Sequence, residues 1–374
     1  MIFSHLAYIV SFAALGAIGV AASGTGMGPT LVVPSILGAM VFYAVGDAFR
    51  TGTHKSIIFG WLREQGRTNE RTKVYGYTRS WSKIGSAVSV VLASVLVFLT
   101  RNYVYVFFFS IVPYVLNIIN FAGYPPEADR TGGGRPSPAR IARHLLKTLR
   151  MCLRTATLRR LLFESMGFEG FFKASKDYLQ PILRSAALPL TAAMFGGLAL
   201  DKQQRAVILV GPVYFVLFIL SAVAGRKAYL FVDRAGNEDR TARMLWAVAF
   251  VISALLVPAT YWGVQWGMIV GFVLLYLLQN VWRPVLISRF DAYSDEKSGA
   301  TVLSVESQAK STATMIMAPL LGFAVDGVKT HDIGQSEFWP IAVLGAVVAL
   351  GFLITARETG DHPGAGNVGE DDNV

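Results

Sequence analysis

Cysteine is nearly absent from this 374-residue chain: Cys152 stands alone, which excludes an internal disulfide and any metal site built on several thiolates. Charge is scarce as well. Only 16% of residues are Asp, Glu, Lys or Arg, against roughly 25% in soluble domains. The five histidines (His5, His54, His144, His331 and His362) keep no metal-ligand spacing, and no pair of aspartates suits a lipid-phosphate enzyme. No metal, cofactor or enzymatic chemistry is therefore expected. What remains is apolar: 53% of residues are hydrophobic, 36 glycines come on top, and mean hydropathy is +0.47. Such a chain has too little polar surface to coat a water-soluble fold, so its class is membrane protein.

The net charge of +10 does not point to nucleic acid, because the basic residues fall in a repeating set of loops. Nor is a cleavable signal peptide expected, since the first apolar run has no basic flank and exceeds a signal h-region. A bilayer-crossing helix needs about 20 mostly apolar residues. Ten segments qualify: 2–22, 31–59, 78–99, 103–121, 158–183, 206–224, 245–262, 266–288, 300–325 and 338–356. Lysine and arginine crowd the loops after the even-numbered spans, such as Arg63, Arg67, Arg71, Lys73 and Arg79 after the second. The other side holds only Arg101, Arg184, Lys202, Arg205 and Lys329. This asymmetry puts both termini of a multi-pass protein on the cytoplasmic side of the cytoplasmic (inner) membrane.

The expected fold class is all-α, a polytopic helical bundle of about ten transmembrane helices in a 4 + 6 two-half architecture. Residues 1–122 form an N-terminal half-bundle of four spans, and 123–157 a basic cytoplasmic linker. Residues 158–356 form a C-terminal six-helix bundle, and 357–374 a disordered cytoplasmic tail. The linker's second part is amphipathic, with Ile141, Leu145, Leu149 and Cys152 on one face and Arg143, Lys147, Arg150 and Arg154 on another. It either lies on the anionic inner surface, with anionic lipid as partner, or is a solvated linker helix.

Three stretches carry a family likeness. They are Gly46-Asp47-Ala48-Phe49-Arg50-Thr51-Gly52-Thr53-His54-Lys55, then Ala300-Thr301-Val302-Leu303-Ser304 leading to Ala318-Pro319-Leu320-Leu321-Gly322 and Asp326, then Gly225-Arg226 followed by Asp233-Arg234-Ala235-Gly236. With four spans, a long basic linker and six spans, the chain resembles the major facilitator superfamily. That resemblance implies two bundles rocking about a central cavity, and makes spans two, five and eight three of the four helices that line it. The family's first two helices and the loop motif between its second and third have no counterpart, so a truncated gene is expected. Its antiporter glycine-proline pattern is also missing at Ile84-Gly85-Ser86-Ala87. Short internal matches fit a parallel repeat: Asp47-Ala48-Phe49-Arg50 with Asn280-Val281-Trp282-Arg283, and Arg79 to Lys83 with Glu306 to Lys310.

Ionisable groups at membrane depth cost at least about 2.5–3.5 kcal/mol, so each is a functional-site hypothesis. Span five holds Glu169, Lys173, Lys176 and Gln180 at helical spacing, one polar stripe with Glu169 near midplane. Glu169 and Asp47 are the candidate proton-coupling residues. Arg50, His54, Lys173, Gln279, Asn280 and Arg283 are candidates for the substrate cavity. Arg50 and Arg283 could hold an anionic group, with Trp81, Trp282 and Tyr178 as aromatic walls. Glu306 and Lys310, at i,i+4, read as an internal ion pair. The expected function is secondary active transport of a small solute by alternating access, coupled to protons. The alternatives are a transport-inactive remnant or membrane scaffold and, last, a multi-span membrane enzyme.

Overall fold

The computed structural model describes residues 2–26, 28–50, 53–123, 138–195, 200–293, 299–331, 333–334 and 336–355. Among them every regular element is helical. In chain order they are α1 (Ile2–Thr25), α2 (Pro29–Arg50), α3 (Thr53–Glu64), α4 (Arg71–Thr100), α5 (Val104–Phe109), α6 (Ile111–Ala122), α7 (Pro138–Arg154), α8 (Ala156–Ser165), α9 (Phe171–Ser175), α10 (Leu179–Phe195), α11 (Lys202–Arg226), α12 (Ala228–Ala235), α13 (Glu238–Tyr261), α14 (Gln265–Ala292), α15 (Gly299–His331) and α16 (Trp339–Ile354). Eight stretches among the described residues are long and apolar enough to cross a membrane, four before residue 123 and four after residue 200. Large apolar side chains stand exposed along them, among them Leu31, Leu37, Leu92, Leu99, Leu116, Ile119 and Leu255. A surface of that kind is stable against lipid and not against water. The chain is a multi-pass, all-α membrane protein.

Two of the ten expected spans fall outside those eight. The tenth forms α16, only 16 residues long. The fifth is a broken helix: α8 runs into a π-helical turn at Met166–Gly170, then α9, a 3-10 turn at Lys176–Tyr178, and α10. Two glycines make the break possible. A Cβ at Gly167 would collide with the Phe352 ring, and one at Gly170 would come within 2.7 Å of Ala313 on α15. The widened turn thus lies flush against α15 and α16. It also overturns the single polar stripe: Glu169 is buried, whereas Lys173 and Gln180 are exposed and Lys176 half-buried. A wide turn followed by a tight one rotates later positions away from the 3.6-residue register.

The second expected span is described as α2 up to Arg50 and α3 from Thr53, with residues 51 and 52 outside the described residues. Span three begins earlier than hydropathy indicates. Arg67 and Glu70 close a two-bonded pair at 2.9 and 2.7 Å, and α4 starts at Arg71, so Arg71, Lys73 and Arg79 are helical and not loop charges. Arg283 and Arg289 likewise lie buried within α14.

Packing follows a different division from the order of the spans. α1, α2, α5 and α6 gather around the ring cluster of Tyr8, Phe12, Tyr43 and Tyr114. α4 instead runs antiparallel along α11 for its whole length. Arg226 lies over the Tyr77 ring at 4.6 Å, Lys83 over Phe218 at 5.2 Å, the Gln204 amide donates to the Phe98 carbonyl at 3.0 Å, and Arg101 meets Asp201 at 3.8 Å. Small residues permit this approach, because a Cβ at Gly76 would strike the Gly225 carbonyl and one at Gly211 the Ser94 hydroxyl. α3 also joins the later helices, with Phe59 and Leu62 in the core built by Leu158, Leu161, Trp246, Trp282 and Phe290.

α7 buries Thr148 and Cys152, while Leu145, Leu146, Leu149 and Leu153 stand exposed. Arg143, Lys147, Arg150 and Arg154 are exposed beside them.

Candidate functional site

α14 is the most enclosed helix, buried almost continuously from Leu275 to Asp291. Its polar residues therefore have to find partners on other helices. Arg283 (2% exposed) donates from both terminal nitrogens to Glu306 of α15 (0% exposed), at 2.6 and 2.9 Å. The Ser165 hydroxyl, at the end of α8, donates to the same carboxylate at 2.6 Å. Glu169 (6% exposed) accepts from the Gln279 amide at 3.2 Å through each oxygen, and its Oε2 lies 4.0 Å from Arg283 Nη1. The Gln279 carbonyl oxygen accepts from Arg79 Nη2 at 2.8 Å, while Arg79 Nε donates to Asn280 at 3.2 Å. Asn280 in turn donates to the Tyr276 carbonyl at 2.7 Å.

These bonds form one connected network, from Arg79 on α4 through Gln279 to Glu169, and on through Arg283 to Glu306 and Ser165. Its depth follows from helix length. Gln279 lies about 21 Å along α14, close to the middle of that 28-residue helix. Pro284 contributes by removing the N–H that would bond the Asn280 carbonyl, and Gly225 of α11 packs beside that carbonyl.

A second network closes one end of α14. Asp291 accepts from Arg63 at 2.8 Å and from Arg71 at 2.5 Å. Glu164 accepts from Arg160 at 2.9 Å and from Arg289 at 2.6 Å, and Arg289 also donates to Asp239 at 2.7 Å. Glu238 accepts from Thr72 at 2.8 Å and from Ser288. Four arginines thus meet three carboxylates, with Glu238 held by two hydroxyls beside them, about 18 Å along α14 from Gln279.

Against protein-family models and curated proteins, the chain matches none. Its site is read from its own residues.

Of the residues singled out in the sequence, Glu169, Gln279, Asn280, Arg283 and Glu306 converge. Asp47 and Arg50 do not join them. Asp47 accepts from the Tyr8 hydroxyl at 3.2 Å, and Arg50 lies over the Tyr8 ring at 5.7 Å, in the cluster of α1, α2 and α6. The side chain of His54 lies outside the described residues. Lys173 is exposed and gives Glu169 no ion pair, because the π turn aims the two side chains apart. Lys310 sits one turn beyond Glu306, where its backbone carbonyl accepts from Thr314 at 2.9 Å beside Gly170. Trp282 is no cavity wall: it is 1% exposed, packed between Trp246 and Phe168. Trp81 is exposed, and Tyr178 is half-buried against Phe338.

Arg79, Ser165 and the Asp291 clamp were not read as site residues. Arg79 and Lys83, a basic pair at i,i+4, carried the available signal once α4 is started at Arg71. A separate cavity of about 360 Å³ lies farther along α4, lined by Val90, Ser94, Val97, Phe107, Gln180 and Tyr214 and without a charged residue.

Proposed function

We propose that the chain is a secondary active transporter, moving a small solute across the cytoplasmic membrane by alternating access coupled to protons. The observation that carries the reading is the buried network linking α4 to the π-helical turn, α14 and α15 at midmembrane depth. Buried charges of this kind are costly to insert and, in membrane proteins, mark ion and substrate routes. The likeness of its motifs to the major facilitator superfamily supports the same reading, with both termini cytoplasmic and anionic lipid under the exposed leucines and basic residues of α7.

The two buried glutamates have different work. Glu306 is held by a bidentate guanidinium and a hydroxyl, a geometry that fixes a carboxylate. Glu169 is held by one amide and by a guanidinium at 4.0 Å. Protonating Glu169 turns one acceptor into a donor, which breaks one of its two bonds from Gln279 and loosens the amide that also holds Arg79. A proton arriving at Glu169 is thereby felt on α4. π-helical turns recur at functional sites because they free backbone groups and re-aim side chains.

The test is the purified chain in proteoliposomes under an imposed pH gradient, with accumulation of a panel of radiolabelled anionic, neutral and cationic solutes measured inside the vesicles. Gradient-dependent accumulation of a solute that disappears in Glu169→Gln is expected. Absence of gradient-dependent accumulation across the panel overturns the transport reading, and accumulation unaltered by Glu169→Gln removes Glu169 from the proton path.

A further inference from the structure

Charge around the deep network does not balance. Arg283 and Glu306 neutralise each other, and Lys176 is matched by Asp177 at 2.6 Å. That leaves Arg79 and Lys83 facing Glu169 alone. Among the described residues no carboxylate lies within ion-pair distance of either. Arg79 bonds to the neutral amides of Gln279 and Asn280, and Lys83 to the face of Phe218 at 5.2 Å. The charged groups that face Lys83 are Arg79 on its own helix, Lys176 and Glu169. Arg79 and Lys83, two cations, therefore face one carboxylate, Glu169, among the described residues.

The two unmatched cations stand one turn apart on α4, an arrangement that is repulsive by itself. Lys83 lies about 18 Å along the 30-residue α4, near its middle. Phospholipid headgroups stay outside a hydrocarbon core about 30 Å thick, so they do not reach this depth. A solute entering the bundle does.

We infer that Arg79 and Lys83 seat an oxyanion, the carboxylate or phosphate of the transported solute; the inference rests on the transport reading above. A planar guanidinium beside a compact ammonium suits either group. One bound anion brings the cluster to neutrality. Arg79, held by the amide that also holds Glu169, then couples occupancy of the seat to the state of that glutamate.

The test uses the full chain in detergent micelles, with melting temperature measured at constant ionic strength balanced by sodium chloride. The probes are benzoate, its neutral analogue benzamide, and inorganic phosphate. At least one of the two anions is expected to raise the melting temperature, with benzamide inert, and the shift is expected to vanish in Lys83→Gln and survive in Lys83→Arg. Without any probe, Lys83→Gln is expected to melt higher than the unaltered chain, by about 2 °C or more, because it removes a half-buried cation that repels Arg79 one turn away. Equal shifts with benzoate and benzamide, no shift with either anion, or a lower melting temperature for unliganded Lys83→Gln would each overturn the inference. Gradient-driven accumulation that persists for neutral or cationic solutes then leaves the transport reading standing, whereas absence of accumulation for every solute removes both.

Discussion

Arg283 and Glu306 face each other on α14 and α15 through two parallel hydrogen bonds of 2.6 and 2.9 Å, with 3% and 0% of their side chains exposed. A pair so enclosed is worth little relative to apolar residues of the same size, but it is costly to halve. Arg283→Met or Glu306→Gln alone should each destabilise the protein by about 3–5 kcal/mol, whereas the double variant Arg283→Met with Glu306→Leu should recover most of that loss. Thermal unfolding of the variants in detergent checks this. Additive losses in the double variant would mean that the two side chains do not depend on each other.

Glu169 should behave differently. A glutamine at 169 can still accept from the Gln279 amide, so Glu169→Gln should stay within about 1 kcal/mol of the unaltered protein in stability. Proton-driven solute accumulation should fall to background. A melting temperature as low as that of Glu306→Gln would place Glu169 in the structural lock and not in the coupling step.

The contrast between these two glutamates shows how far the sequence could be read. Both were visible as charges inside apolar runs, because hydropathy marks any carboxylate set among leucines. The guanidinium that takes both oxygens of Glu306 was not visible, because it comes from another helix, whereas sequence spacing offers only neighbours such as Lys310 at i,i+4. Gly167 and Gly170, flanking Phe168-Glu169, signalled close packing, yet no periodicity distinguishes a π turn from a regular one. Arg79 was hidden for another reason. Hydropathy starts span three at 78, which puts Arg79 at the span's first turn, where it was counted with the loop charges, whereas α4 starts at Arg71 and carries it inward.

At the end of α14, Asp291 holds Arg63 and Arg71 together, joining the loop end of α3 and the start of α4 to the later helices. The guanidiniums remain about a fifth exposed (21% and 20%), so water replaces part of what is lost when the carboxylate is removed. Asp291→Asn should therefore cost about 2 kcal/mol, less than halving the deep pair. Hydrogen exchange across 58–71 should accelerate while that of α13 and α16 stays unchanged.

Cys152 of α7 is fully buried in the core, and burial pushes its thiol above the ordinary cysteine range. Its reaction with a maleimide should be much slower in the folded protein than in denatured chain. It should keep rising about tenfold per pH unit through the pH at which an exposed thiol levels off, because only the thiolate reacts. A side-of-membrane assay therefore needs a cysteine at the exposed Arg150 in a Cys152→Ala background. Labelling of that cysteine in intact cells, from outside, would reverse the proposed orientation.

The α4–α11 contact offers a paired test in which two glycines should differ. At Gly76 the obstacle to a Cβ is the Gly225 carbonyl, which belongs to a helix backbone and can give way only if α4 and α11 separate. At Gly211 the nearest obstacle is the Ser94 hydroxyl, the tip of a side chain that can rotate, which leaves the Ser94 Cβ at 3.2 Å, a contact that needs a shift of only a few tenths of an ångström. Overpacking costs about 1–3 kcal/mol when backbone must shift and less when a rotamer change relieves it. Gly76→Ala should fall at the upper end of that range and Gly211→Ala near zero. The difference bears on function as well as stability, because Gly76 stands one turn before Arg79. Moving α4 away from α11 there draws Arg79 from the Gln279 and Asn280 amides and Lys83 from Phe218. Gly76→Ala should thus weaken the anion-dependent melting shift, and Gly211→Ala should preserve it. Equal destabilisation by the two substitutions would mean that α4 and α11 do not meet in the register described.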